Sequence, residues 1–347
     1  MDDRTGRPAS VPGILVYALG LGLIVAWTSL ELRFDTRSDT IANLSLILDG
    51  QPLVFGADAL PDLPFYNRIM VPALHALLVD WVPIFDNGEW YLLLRIATFG
   101  AAFGSFAIAC GPDWRESAGD VRLAMALLAL ATIVSFSYPW EEPSDALDIC
   151  ALSLAVAASR NNRLFACFAI GVVFASNRES AAYAGIIWFF LSTRQSSWLR
   201  RAIEGAAICI AAYGVVVLLR AAVAGWGVSG NWFMLFDNVE TLIDAIDTFT
   251  PLSWLGLLPA TAVILLATID RSHPLKRRLL QLAVLLAVPS LLFGKINELR
   301  VFLPSMLMLA FAVGARWTAG AMSDLLPSIP RRAATSHPGD AGEVRLR

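Results

Sequence analysis

The feature that most constrains this chain is a series of long apolar runs separated by short charged segments. A helix that crosses a bilayer needs about 20 mostly apolar residues, and fewer where it is buried among other helices. Ten runs fit this description, near 11–30, 90–110, 121–139, 144–159, 163–177, 180–193, 201–224, 251–269, 278–294 and 299–317. The sequence therefore predicts an all-α, polytopic integral membrane protein with about ten transmembrane helices.

The composition agrees with this class and narrows the partners. Apolar residues make up 57% of the chain and charged residues 16%, whereas about a quarter of the residues in soluble domains are charged. A net charge of −3 gives no basic field for nucleic acid. The four cysteines lie in apolar runs without metal-binding spacing, and no P-loop, dinucleotide or haem motif occurs. We therefore expect no nucleic-acid partner, no metal and no cofactor.

The positions of the Lys and Arg residues orient the predicted helices. With ten spans, both termini lie on the same side of the membrane. If that side is the cytoplasm, eighteen of the 26 Lys and Arg residues fall in the inner segments or the tail and only six in the outer segments. Cytoplasmic loops are the ones enriched in Lys and Arg. The sequence thus predicts a plasma-membrane protein, of the bacterial inner-membrane type, with cytoplasmic termini.

One further apolar segment, 69–85, does not fit as a span, because counting it would reverse every later loop and destroy this charge asymmetry. Pro72, Asp80 and Pro83 interrupt it, which suits a short helix lying on the outer membrane surface. This helix falls within a first outer loop of residues 31–89.

The predicted domain organisation is simple. The helical domain covers residues 1–320 and includes a second long outer loop at 225–250. Residues 321–347 are rich in Pro, Arg, Ser and Gly and predict a disordered cytoplasmic tail.

Charged residues cluster where four of the predicted helices meet the outer face. An ionisable group near hydrocarbon is costly and tends to persist where it pairs or takes part in function. The clusters occupy residues 33–39, residues 141–145 with Asp148, residues 177–179, and residues 295–300. The derived topology brings all four to the same membrane boundary, as a site acting on a lipid-linked phosphate would require.

Each cluster also has a plainer structural explanation, which stays open. The acids of 33–39 can be solvated loop charges, and 141–145 can be a helix cap with an acidic first turn. Segment 177–179 can form a local Arg–Glu ion pair, and the charges of 295–300 can extend to the membrane interface. His75 is more simply explained as a packed side chain than as a base or ligand.

A series of short motifs runs along residues 11–317. It consists of Phe34-Asp35-Thr36-Arg37, Gly50, the segment 66–74, Arg95, Ser144-Asp145-Ala146-Leu147, Asn177-Arg178-Glu179, and Glu298-Leu299-Arg300 followed by Pro304. Their order resembles the layout of the GT-C superfamily of membrane glycosyltransferases, which includes the protein mannosyltransferases and the aminoarabinose transferases of lipid A. The chain departs from that pattern at Thr36, where the family has a second acid, in lacking the motif Tyr, and in having no outer soluble domain.

The resemblance implies transfer of a sugar from a polyprenyl-phosphate donor to an acceptor on the extracytoplasmic face. Asp35 would be the general base, with Asp39 as the reserve candidate. The implied substrate-binding residues are Arg68, Glu142, Asp145, Asn177, Arg178, Glu179, Lys295, Glu298 and Arg300. Among them Arg178, Lys295 and Arg300 would stabilise the phosphate leaving group. The implied partners are the lipid-linked sugar donor, membrane lipid, and a glycan, lipid or protein acceptor.

Two other functions stay open at this point. The chain can be a transporter, flippase or polymerase-like handler of lipid-linked glycans, or a non-catalytic membrane subunit. Transporters generally place charged sites near the bilayer midplane and often contain inverted repeats, and neither feature occurs in this sequence. The modest length and the missing motif Tyr are what suggest a non-catalytic subunit.

Overall fold

The computed structural model describes residues 11–31, 70–82, 84–85, 87–110, 118–135, 143–193, 197–224, 236, 264, 274–293 and 302–314. These residues belong to one unit that spans Met1–Arg316. Every regular element among them is a helix, so the predicted all-α class is confirmed. The predicted tail at 321–347 lies outside the described residues, as does the predicted loop at 225–250 apart from Phe236.

Ten α-helices and one 3-10 helix occur within the described ranges. They are α1 (Val11–Glu31), α2 (Met70–Trp81), α3 (Asn87–Ala109), α4 (Ala118–Ser135), α5 (Pro143–Arg160), α6 (Leu164–Phe174), the 3-10 helix (Glu179–Ala182), α7 (Tyr183–Leu191), α8 (Trp198–Ala224), α9 (Pro274–Phe293) and α10 (Leu303–Gly314). Nine of the ten predicted runs contain one of these α-helices. The remaining run, 251–269, lies outside the described residues apart from Ile264. The additional helix, α2, occupies the segment expected to form a short surface helix.

Helices α6 and α7 are shorter than the runs that predicted them. They contain 11 and 9 residues, which at 1.5 Å per residue is at most about 17 Å, or roughly half the hydrocarbon thickness of a bilayer. Polar residues Ser176, Asn177 and Arg178 follow α6, and the 3-10 helix then leads directly into α7. The predicted runs 163–177 and 180–193 thus meet in irregular backbone.

Within the ranges that the structure describes, two helical segments are long and apolar enough to cross a membrane, Glu89–Ala109 in α3 and Trp198–Leu219 in α8. In the first segment 67% of the residues of the most apolar window are buried inside the protein, whereas in the second only 22% are. Two helices of this kind are compatible with a membrane protein, although a buried helix of a soluble protein satisfies the same criteria.

The core is centred on α3 and α5, with α1, α4 and α10 packed around them. Phe103 and Phe106 of α3 are fully buried, and Phe106 stacks on Phe311 of α10 with ring centroids 4.4 Å apart. Helix α1 approaches α3 so closely that a Cβ atom on Gly22 would lie 2.6 Å from the backbone nitrogen of Gly100. Glycine is required at position 22 because the two backbones touch there.

Hydrogen bonds at one end of the bundle establish the directions of the helices. Arg160 Nη1, at the end of α5, donates to the Ala109 carbonyl oxygen at the end of α3 over 2.6 Å. The Tyr17 hydroxyl of α1 donates to the Arg122 carbonyl oxygen at the start of α4 over 3.4 Å. Helices α3 and α5 therefore run in the same direction and end where α4 begins. We name this the Arg160 end.

The opposite end of the bundle is named the Asp145 end, because Asp145 lies in the first turn of α5. It contains the starts of α3 and α5. It also contains the start of α10, since a Cβ atom on Gly314, at the other end of that helix, would lie 3.0 Å from Ala124 Cβ in α4 and 3.7 Å from Cys110 Sγ.

Helix α2 packs at the Asp145 end. Its Val71 side chain forms a small buried cluster with Leu94 of α3 and Leu147 of α5, and the Met70 backbone N–H donates to the Ser176 carbonyl oxygen over 3.2 Å. Helix α2 is thereby attached to the turn that follows α6. His75 is 1% exposed and lies edge-on to Tyr91, in agreement with a packed side chain.

Candidate functional site

Four residues that the sequence predicted to bind substrate lie in the described part of the chain, namely Asp145, Asn177, Arg178 and Glu179. The predicted catalytic acids and the other predicted binding residues lie outside the described residues, namely Asp35, Asp39, Arg68, Glu142, Lys295, Glu298 and Arg300. The structure therefore describes the contributions of α5 and of the turn after α6.

The start of α5 contributes two buried carboxylates. The helix begins at Pro143, which suits the first helical position because proline has no N–H to leave unpaired there. Asp145 follows in the first turn, where its charge interacts favourably with the helix dipole. The acidic first turn expected from the sequence is thus confirmed. Asp145 is 0% exposed and Asp148 is 3% exposed, and carboxylates buried to this extent need polar partners.

The turn after α6 brings those partners. The backbone N–H groups of Asn177 and Arg178 both donate to the Phe174 carbonyl oxygen, over 2.9 and 3.0 Å. Arg178 then adopts an extended conformation, with φ −156° and ψ 151°, and precedes the 3-10 helix. The chain reverses within these few residues, so both side chains lie beside the first turn of α5.

Two polar contacts join this turn to α5. The Arg178 guanidinium group forms an ion pair with the Asp145 carboxylate, and both side chains are buried. Asn177 Nδ2 donates to the Ser144 carbonyl oxygen over 2.8 Å. The second and third charged clusters therefore meet, as the predicted topology requires. The ion pair links two separate elements, so Arg178 does more than stabilise its own turn.

Ser180 and Tyr183 also belong to the described cluster, and the sequence did not indicate them. Ser180 Oγ donates to Asp148 Oδ1 over 2.6 Å. Tyr183, the first residue of α7, lies within electrostatic range of Asp148 and Glu179. The sequence did indicate their neighbour Asp148, because it follows Asp145 by three residues and residues at that spacing share a helix face. Ser180 had no comparable signal, since its contact depends on tertiary packing.

The described cluster carries more negative than positive charge. Arg178 is neutralised by Asp145, while Asp148 and Glu179 add further carboxylates. The net negative charge of these four residues opposes the binding of a phosphate. The ion pair with Asp145 therefore suits Arg178 for positioning α5 better than for binding a phosphate leaving group. The other cations predicted to stabilise the leaving group, Lys295 and Arg300, lie outside the described residues, as does Arg68. Among the described residues, no group of three His, Cys, Asp or Glu side chains is arranged to hold a metal ion.

Comparisons with known protein families, with characterised proteins and with solved structures gave no match. The function has to be inferred from the residues of the chain itself.

Proposed function

We propose that this chain is a polytopic membrane protein of about ten spans that transfers a sugar from a polyprenyl-phosphate donor to an acceptor on the extracytoplasmic face. Both termini would lie in the cytoplasm of a cell bounded by a bacterial-type inner membrane. The observation that carries the proposal is the buried cluster at the Asp145 end, where α5, the turn after α6 and the attached helix α2 meet.

The outer surface of the bundle supports the membrane placement. Large apolar side chains are exposed on most of the described helices, and α8 presents the longest series: Leu199, Ile203, Ile210, Val217 and Leu218. Soluble monomers rarely expose contiguous apolar patches larger than a few hundred Å². Lipid tails solvate such a surface without the penalty that water imposes.

The charges at the two ends of the bundle support the proposed orientation. Described basic residues at the Arg160 end, where α4, α6 and α8 begin, are Arg122, Arg160, Arg163, Arg200 and Arg201. Two carboxylates, Asp120 and Glu204, accompany them. At the Asp145 end the described acids are Asp80, Glu89, Asp145, Asp148 and Glu179, against the paired Arg178 and against Arg95, which lies about two turns into α3. The excess of positive charge at one end matches a cytoplasmic face.

The position of the polar cluster supports a transferase acting at the membrane boundary. Asp145 lies in the first turn of its helix, whereas transporters generally bind substrate near the bilayer midplane. In the proposed mechanism Asp35 removes the acceptor proton as the acceptor attacks the sugar, with Asp39 as the alternative base. Asp145, Asn177 and Arg178 hold the framework of the site, and Arg68, Lys295 and Arg300 stabilise the released phosphate.

The proposed topology is tested by accessibility labelling. In a background with the four native cysteines replaced, single cysteines at positions 35 and 298 should react with a membrane-impermeant maleimide on intact spheroplasts. A cysteine at position 163 should react only after the membrane is permeabilised, because the Arg160 end faces the cytoplasm. Labelling of positions 35 and 298 from opposite sides of the membrane would contradict the proposed active site, which requires both residues on the same face.

The proposed chemistry is tested with Asp35→Asn in proteoliposomes that contain a polyprenyl-phosphate sugar. With water as the acceptor in this assay, wild-type protein should release free sugar and polyprenyl phosphate. Asp35→Asn should lose most of that rate, because no base then removes the proton of the attacking water. The matched control is Asp80→Asn, which removes an exposed carboxylate from α2 at the same end and should keep the rate.

Two outcomes of that assay would support the rival functions. Movement of the donor across the bilayer that persists in Asp35→Asn indicates a transporter or flippase. Wild-type protein that neither cleaves nor moves the donor indicates a non-catalytic subunit.

A further inference from the structure

The Arg160 end contains two loops that are joined by side chains. Asn162, between α5 and α6, adopts a left-handed conformation with φ 54°, which asparagine tolerates better than most residues. Its Nδ2 donates to Thr193 Oγ1 over 2.8 Å, and its Oδ1 accepts from Ser192 Oγ over 3.1 Å. Arg201 Nη1 donates to the Ser192 carbonyl oxygen over 3.2 Å. Asn162, the residues directly after α7 and the first turn of α8 are therefore in contact.

Two arginines of the surface around these contacts have no carboxylate partner among the described residues. Arg163 is exposed and directly follows Asn162, and Arg201 is half-buried with its Nε buried and without a hydrogen-bond acceptor. The neighbouring Arg200 differs, because its Nε donates to Glu204 Oε1 over 3.0 Å. The surface therefore holds positive charge that the described part of the protein does not compensate.

The surroundings of these arginines indicate where the missing anion comes from. Phe165 and Trp198 lie within three residues of Arg163 and Arg201 and are 83% and 67% exposed. Exposed aromatic side chains beside cationic groups are typical of the headgroup level of a membrane. Helices α6 and α8 also begin here, and the positive ends of their dipoles add to the attraction for an anion.

We propose that the surface formed by Asn162, Arg163, Thr193 and Arg201 binds the phosphate of an anionic phospholipid in the cytoplasmic leaflet. Basic surfaces between helices at that membrane face suit anionic headgroups. The guanidinium groups donate to the phosphate oxygens, and the adjacent Phe165 and Trp198 contact the acyl chains. This inference rests on the proposed membrane placement but not on sugar transfer.

The test uses the full chain in nanodiscs of phosphatidylcholine that contain a small fraction of phosphatidylglycerol or cardiolipin. Bound lipid is identified by native mass spectrometry after release from the disc. Wild-type protein should retain the anionic lipids in preference to phosphatidylcholine. Arg163→Gln should weaken that preference about five-fold, and Arg163→Gln with Arg201→Gln by more than about ten-fold. Arg163→Gln alone keeps the test valid if the double variant does not fold.

The matched control is Arg200→Gln, which removes the same charge from the neighbouring position but from an arginine that already has a carboxylate partner. It should change the preference less than two-fold if the site is specific. Equal losses in Arg163→Gln and Arg200→Gln would overturn the proposal in favour of diffuse attraction. Displacement of the lipid by millimolar inorganic phosphate would show that a free anion is the ligand. Because sugar transfer is not measured, the failure of either proposal is distinguishable from failure of the other.

Discussion

Asp145→Asn should lower the free energy of unfolding by about 3–5 kcal/mol, because it leaves the buried Arg178 guanidinium without its counter-ion. Asparagine keeps the size of the side chain, so the loss reports charge and not a cavity. Arg178→Gln should be destabilising for the reciprocal reason. The double variant should lose clearly less than the sum of the two single losses, since no buried charge is then left unpaired. Unfolding of purified protein in mixed micelles of increasing SDS content measures these differences.

The control for this cycle is an ion pair in α8. Arg200 pairs with Glu204 one helical turn away and its side chain is 61% exposed. The Glu204 side chain is 11% exposed and keeps its hydrogen bond from Trp188 Nε1, so Arg200→Gln should cost about 1 kcal/mol at most, far less than Asp145→Asn. Additive losses in the Asp145 and Arg178 cycle would contradict the direct pairing on which the described site depends.

Gly185→Ala should destabilise the protein by about 1–3 kcal/mol, although alanine is the better helix former. A Cβ atom on Gly185 would meet the Gly205 carbonyl oxygen and would lie 2.5 Å from Cys209 Sγ. The carbonyl is backbone and cannot rotate away, so α7 and α8 would have to separate. Gly205→Ala should have a similar effect, because its Cβ would lie 2.6 Å from the Gly185 carbonyl oxygen.

Gly214→Ala is the matched control, since it lies in α8 and a Cβ there would meet nothing within 4 Å. The gain in helix propensity is then unopposed, so this variant should be neutral or stabilised by up to about 1 kcal/mol. The same unfolding assay compares the three variants. A Gly185→Ala protein as stable as Gly214→Ala would show that α7 and α8 do not cross at the described distance.

The described part of the site was only partly predictable. The proximity of Asp145 and Arg178 followed from the predicted topology. If successive runs cross the membrane in alternating directions, the start of α5 and the turn after α6 lie on the same side of it. The pairing itself was not predictable, and it is the reason for proposing that Arg178 positions α5. Ser180 was missed because a serine beside a turn carries no periodic signal.

The fold shows the same division. Apolar runs located nine described helices, and the proline-interrupted segment at 69–85 was recognised as a short helix. The lengths of α6 and α7 were overestimated, since hydropathy does not register where polar residues open the backbone between them. The contact of Met70 with Ser176 could not be anticipated either, as it joins residues that are far apart in sequence.

The sequence by itself determined the helical class, the approximate positions of the helices and the separation of acidic from basic segments. These properties depend on local composition and on periodicity along the chain. The tertiary structure alone decided which buried charges pair, which glycines allow backbones to touch and which arginines at the Arg160 end have no carboxylate partner among the described residues. Each of these depends on distances of a few ångströms between elements remote in sequence, and no local pattern encodes such distances.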